Sequence, residues 1–172
     1  MAADLLAMLE RAGFEPAGSL SVQAEADRFA AGALARSAGR RLGMPPLSYG
    51  AAQIAACELA GNMVRHAGGG TLALGVCAEA GLLRLSARDD GPPIRNVELA
   101  FADGSTNRGP LLPEQVFRRR GIGAGLGALR RLALALVIEQ APRGKVITAY
   151  FGAGDAQADA GCLVVVRAVA GV

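Results

Sequence analysis

The chain has 172 residues, 52% of them hydrophobic, enough for one domain with a real core and too apolar for a disordered segment. Aromatic residues are 4% and Trp is absent, so Leu, Val and Ala carry the packing and a base-stacking platform for single-stranded nucleic acid is not expected. A net charge of +3 and a pI near 9.1 favour anionic partners only mildly, and no nucleic-acid partner is expected.

In chain order, residues 2–12 read as a short amphipathic helix ending at Gly13, and "GSLSV" (18–22) as an edge strand. A long helix is predicted over 24–42, with Arg28, Arg36, Arg40 and Arg41 outward and Phe29, Ala33 and Leu34 inward. Gly43 and the Pro45-Pro46 pair close it. The next helix spans about 48–67 and stops at the glycines 68–70. "TLALGVC" (71–77) and "LLRLSAR" (82–88) have the spacing of a β-hairpin, and "DDGPPI" (89–94) is a loop. A short helix over 97–102 leads into a glycine- and proline-rich stretch read as flexible. Helix returns over 126–136, "KVITAYF" (145–151) is a strand, and "CLVVVRAV" (162–169) is a last apolar strand after a polar linker. Helices first, then antiparallel strands, define α+β: a two-layer sandwich with a mixed, mostly antiparallel sheet and its helices on one face. No repeat or internal boundary divides residues 1–172.

Cys57, Cys77 and Cys162 form no C-x-x-C pair and leave an odd thiol, which suits a reducing cytoplasm. Asp4 and Glu10 interrupt the first apolar stretch, so no signal peptide is expected. Residues 42–64 are long enough to ask about a membrane, but two prolines, Gln53, Glu58 and Asn62 argue for a buried helix instead.

Glu58 is the one charged residue in that oily stretch; Asn62 follows four positions later and His66 four after that. Residues four apart share a helical face, so Glu58, Asn62 and, less closely, His66 point the same way. A buried carboxylate needs a partner or a solvated cavity, which leaves both a structural Glu and a reactive one open. Asp89 ends a strand and could accept from an exocyclic amine, or serve an ordinary acidic turn. In "GIGAGLG" (121–127), Gly121, Gly123 and Gly125 alternate just before a helix, where bare backbone N–H groups and the helix N-terminus can converge on an anion. A flexible hinge is the alternative. The G-x-G-x-x-A match at 123–128 lacks the upstream strand of a dinucleotide fold, and a Walker pattern is absent. Arg118, Arg119 and Arg120 form either a solvated face or a screen for phosphate charge.

Taken in order, E-x-x-x-N on a helix, D-x-G-x-x-I after a strand, G-x-G-x-G before a helix and Gly-x-x-x-Thr on a strand resemble the GHKL (Bergerat-fold) ATP-binding superfamily. "ELAGNMVRHAGGG", "ARDDGPPI", "ELAFADGSTN", "GIGAGLGALRRL" and "GKVITAYF" look like the RsbT-type switch serine kinases of the bacterial stressosome. The likeness covers about residues 20–151, leaving 152–172 as an extension with an extra strand. The resemblance implies a Mg-ATP-dependent protein serine/threonine kinase, or anti-sigma-type switch, acting on a STAS-domain regulatory partner, a sigma factor or a phosphatase. It implies Asn62 as the Mg²⁺ ligand, Glu58 as the base for the attacking hydroxyl and Asp89 on the adenine amine. Gly91 would allow close approach, Thr148 would support that corner, Gly121, Gly123 and Gly125 would wrap the phosphates, and His66 would lie near the nucleotide. Three departures stand out: Pro93 where the family has glycine, a longer lid between Asn107 and Gly121, and the C-terminal extension. Pro93 and the longer lid favour an alternative, a catalytically weak or inactive kinase-like switch that docks a partner. The tail strand adds to the sheet edge or builds a homodimer.

Overall fold

The computed structural model describes residues 2–102, 105–106, 109–110, 125–153 and 161–172. The loop readings at 111–124 and 154–160, with Arg118 to Arg120, Gly121 and Gly123, lie outside them. Among the described residues are five helices: α1 (Ala2–Arg11), α2 (Asp27–Arg41), α3 (Pro46–Ala67), α4 (Val97–Phe101) and α5 (Gly125–Leu132). The strands are β1 (Glu15–Val22), β2 (Gly70–Cys77), β3 (Leu82–Asp89), the short pair β4 (Ser105–Thr106) and β5 (Gly109–Pro110), then β6 (Ala135–Gln140), β7 (Lys145–Gly152) and β8 (Leu163–Ala168). The fold is α+β, built on a six-stranded sheet in the order β1-β2-β3-β7-β6-β8. Every neighbouring pair is antiparallel except β6 and β8, which run parallel. The tail strand does join the sheet at its edge.

Strand alternation sorts the side chains into two layers. Leu83, Leu85 and Ala87 of β3, Leu136 and Ile138 of β6, and Ile147, Ala149 and Phe151 of β7 join the main core with α2, α3 and α5. The intervening residues Leu82, Ala135, Val137 and Tyr150 form a second cluster with Leu5, Leu6 and Leu9 of α1. The helices therefore do not all share one face: α1 packs on the opposite side, because its leucines form a single stripe and the sheet offers a second apolar strip.

Three further expectations are corrected. The helix over 126–136 stops at Leu132, and Ala135–Gln140 is a central strand paired with both β7 and β8. The Pro45-Pro46 pair opens α3 instead of merely closing α2: Pro46 stands in the first turn, where its missing N–H costs nothing. Phe29 and Ala33 point outward, while the buried face of α2 is Ala31, Gly32, Ala35, Ala38 and Gly39. That face meets Ala51, Ala52, Ala55 and Ala56 of α3, and the helices come so close that a Cβ on Gly32 would lie 2.5 Å from Cys57 Sγ. Small residues allow this approach; Phe29 would prevent it.

Cys162, at the start of β8, has its thiol pushed up to about 11 by burial, against the opposing pull of Arg130. Alkylation of Cys162 by iodoacetamide is expected to follow this ionisation, slow at about pH 8 and rising toward pH 11, because the thiolate is the nucleophile. Rates mapped by mass spectrometry that match a free model thiol near neutrality would contradict it. Among the described residues no helix is long and apolar enough to cross a membrane.

Candidate functional site

The site is built on α3 and on the adjoining ends of β3 and β7. Helix α3 ends at Gly68, whose left-handed φ of 77° lets its N–H reach Val64 O at 3.2 Å. On the helix, Glu58 is only 4% exposed, Asn62 is half-buried and His66 is exposed. Glu58 and Asn62 are brought together by a residue that the sequence did not single out. Arg65 donates from Nη2 to Asn62 Oδ1 at 3.0 Å, and the same nitrogen stands 4.0 Å from Glu58 Oε2. Its Nη1 reaches Glu25 Oε1 at 3.4 Å, and Glu25 also accepts from Arg28 at 3.0 Å. A carboxylate and a carboxamide thus face one cationic position on the helix. The close packing of α2 on α3 brings Arg28 and the adjacent Glu25 there.

Asp89, the last residue of β3, is 5% exposed and lies on the α3 side of the sheet by the same alternation as Leu85 and Ala87. Its Oδ1 accepts from Gly91 N at 2.9 Å and from Lys145 Nζ at 2.7 Å. Lys145, 6% exposed, is directly opposite in the β3–β7 register and also donates to Pro92 O at 3.3 Å. Oδ2 takes no protein donor among the described residues. Gly91 lies tightly against the end of α3: a Cβ there would come within 2.7 Å of Ala67 Cβ and 3.0 Å of the His66 carbonyl. Its own carbonyl accepts from Gly144 N at 2.9 Å. A cleft of about 340 Å³ opens beside this corner, lined in part by Ala67, Gly68, Thr71, Arg88 and Asp89.

Asn62 precedes Ala67 by five residues, about 7.5 Å along the axis, so the two clusters are a little more than one turn apart on one helix. His66 contributes its backbone to the Gly91 contact. Gly125 opens α5 with φ of 49°. Thr148 is not brought to Asp89: it faces the opposite side of the sheet, with Tyr150, and its hydroxyl is 3.3 Å from that of Ser86. Lys145 holds the Asp89 corner instead. One cue to it was present: a lysine heading an otherwise apolar strand, directly after a turn glycine.

No family model matches the sequence. Over 113 residues the chain is 30% identical to "Serine/threonine-protein kinase RsbT" of Bacillus subtilis (strain 168), an overlap of 64% of this chain and 77% of that protein. The chain belongs to the family of this serine/threonine-protein kinase.

Proposed function

We propose that the protein is a Mg-ATP-dependent protein serine/threonine kinase of the GHKL type, a switch that phosphorylates or sequesters a regulatory protein such as a STAS-domain partner. The observation that carries the reading is the buried Glu58 beside Asn62, both facing one cation on α3. Kinship with a protein kinase supports it. The donor chemistry fits a hard divalent ion: Asn62 Oδ1 already accepts from a cation, and no group of three His, Cys, Asp or Glu side chains among the described residues could hold a metal alone. An ion bound there would rest chiefly on phosphate oxygens and water, as Mg²⁺ does in nucleotide sites.

ATP supplies the transferable phosphoryl group, and Mg²⁺ supplies neutralisation of its charge. Glu58 accepts the proton of the attacking hydroxyl, and its burial keeps water from competing. Asn62 would hold the metal through its carboxamide oxygen. Asp89 accepts from the exocyclic amine through Oδ2, with Oδ1 fixed by Lys145 and Gly91. Gly121, Gly123 and Gly125 would receive the phosphates through bare backbone N–H groups, and His66 would border the nucleotide.

Thermal unfolding with and without Mg-ATP tests this reading. Ligand at a hundredfold over Kd adds about 2.7 kcal/mol, which for a chain of this size raises Tm by roughly 5–10 °C. A Tm indifferent to every nucleotide tried rejects it. The hold of Lys145 on Asp89 Oδ1, together with Pro93, favours a second reading, a docking switch without catalysis. Partner capture that survives Asp89→Asn, with no heat of ATP binding in calorimetry, selects that alternative.

A further inference from the structure

Arg65 has a place prepared for it. Gly61 lies buried within α3, where glycine is a poor helix former, and a Cβ there would stand 2.8 Å from Arg65 Nη1, 3.2 Å from Nη2 and 3.3 Å from Cζ. The missing side chain is the room in which the guanidinium lies back over its own helix. From that position one planar fork spans Asn62 Oδ1 at 3.0 Å and Glu25 Oε1 at 3.4 Å, with Glu58 Oε2 at 4.0 Å. With its side chain 33% exposed, Arg65 has a path to solvent. Glycine, amide and two carboxylates converge on a single charge.

We propose that Arg65 is a resident counter-ion at the Glu58–Asn62 wall, competing with the divalent metal for Asn62 Oδ1. The inference rests on the metal-nucleotide reading given above. Entry of the metal breaks the Arg65–Asn62 hydrogen bond, and the guanidinium swings toward Glu25 and solvent. Arg65 therefore sets the metal concentration at which the site fills, and it connects that occupancy to Glu25, just before α2. It is a positioning residue, since it acts through Asn62 and Glu58.

The test is a Mg²⁺ titration at fixed, saturating ATP, following Tm in the wild-type protein, Arg65→Met and Gly61→Ala. The first variant keeps side-chain length and removes the charge. The second keeps the charge and fills its berth, displacing only the end of a flexible side chain while improving helix propensity, so folding is not at risk. With the competitor gone, the half-saturating Mg²⁺ concentration is expected to fall about three- to tenfold in Arg65→Met, the order of one charge-assisted hydrogen bond near the surface. In Gly61→Ala it should fall in the same direction by less. A purely structural arginine would lower the baseline Tm and leave the Mg²⁺ midpoint in place; an unchanged or raised midpoint in both variants overturns the proposal. If the wild-type protein shows no Mg²⁺-dependent response to ATP at all, the nucleotide reading itself fails and takes the proposal with it.

Discussion

Lys145→Met is expected to destabilise the protein by about 3–5 kcal/mol, the cost of leaving a buried carboxylate without its cation. The substitution keeps the length of the side chain and removes the ammonium that meets Asp89 Oδ1 at 2.7 Å. Asp89 and Lys145 are both almost wholly buried, so water from the adjoining cleft replaces only part of the lost contact. In a chain of this size the loss corresponds to a fall in Tm of roughly 6–20 °C. Adding Asp89→Asn to Lys145→Met should recover most of it, because a neutral amide in the same space no longer needs a counter-charge. Chemical denaturation of the two variants gives the answer, and a loss below about 1 kcal/mol in Lys145→Met would show that the pair is not worth what its burial implies.

Glu58→Gln carries the largest expected effect on activity. In the kinase proposed above, this isosteric change removes the proton acceptor, so phosphoryl transfer to the partner should fall about 10²- to 10⁴-fold. The rise in Tm on adding Mg-ATP should persist, since Glu58 touches neither the purine corner nor the glycine stretch in this reading. Labelled phosphate transferred from ATP to a STAS-type partner is the measurement for the first half, and the thermal shift for the second. Equal transfer by Glu58→Gln and wild type removes Glu58 from the chemistry and moves the protein toward the docking alternative.

The helix that carries Glu58 was legible because its signals are local: a run of small and apolar residues and Gly68 at its end, although the prolines at its start were read as the end of the helix before it. The hairpin of β2 and β3 was legible for the same reason, with register Thr71 opposite Arg88 and Cys77 opposite Leu82. Strand β6 was not. "LGALRRLALALVIEQ" continues in helix-forming leucine and alanine with no glycine or proline at the break, and only Val137 and Ile138 hint at a strand. Its pairing with β7 decides the matter. The side of the sheet that receives α1 was equally hidden, because an amphipathic stripe says that a face is covered but not which layer covers it. At the site, spacing brought out Glu58, Asn62 and Asp89. Lys145 and Arg65 were missed because their roles are tertiary: one comes from a strand register 56 residues away and the other from a guanidinium folding back over Gly61. Thr148 follows from the same register. Once Lys145 faces α3, a residue three positions further must face away.

The Asp89 corner draws its two halves from distant parts of the chain, and this bears on how the molecule is made. The β2–β3 hairpin closes through a short local turn and can form early, whereas β3 meets β7 only after more than fifty intervening residues have been threaded into place. A half-assembled intermediate holding the hairpin alone would carry an acid with no ammonium beside it. Such a species has no finished Asp89–Lys145 pair, so the burial of that pair during refolding marks the moment the two central strands join.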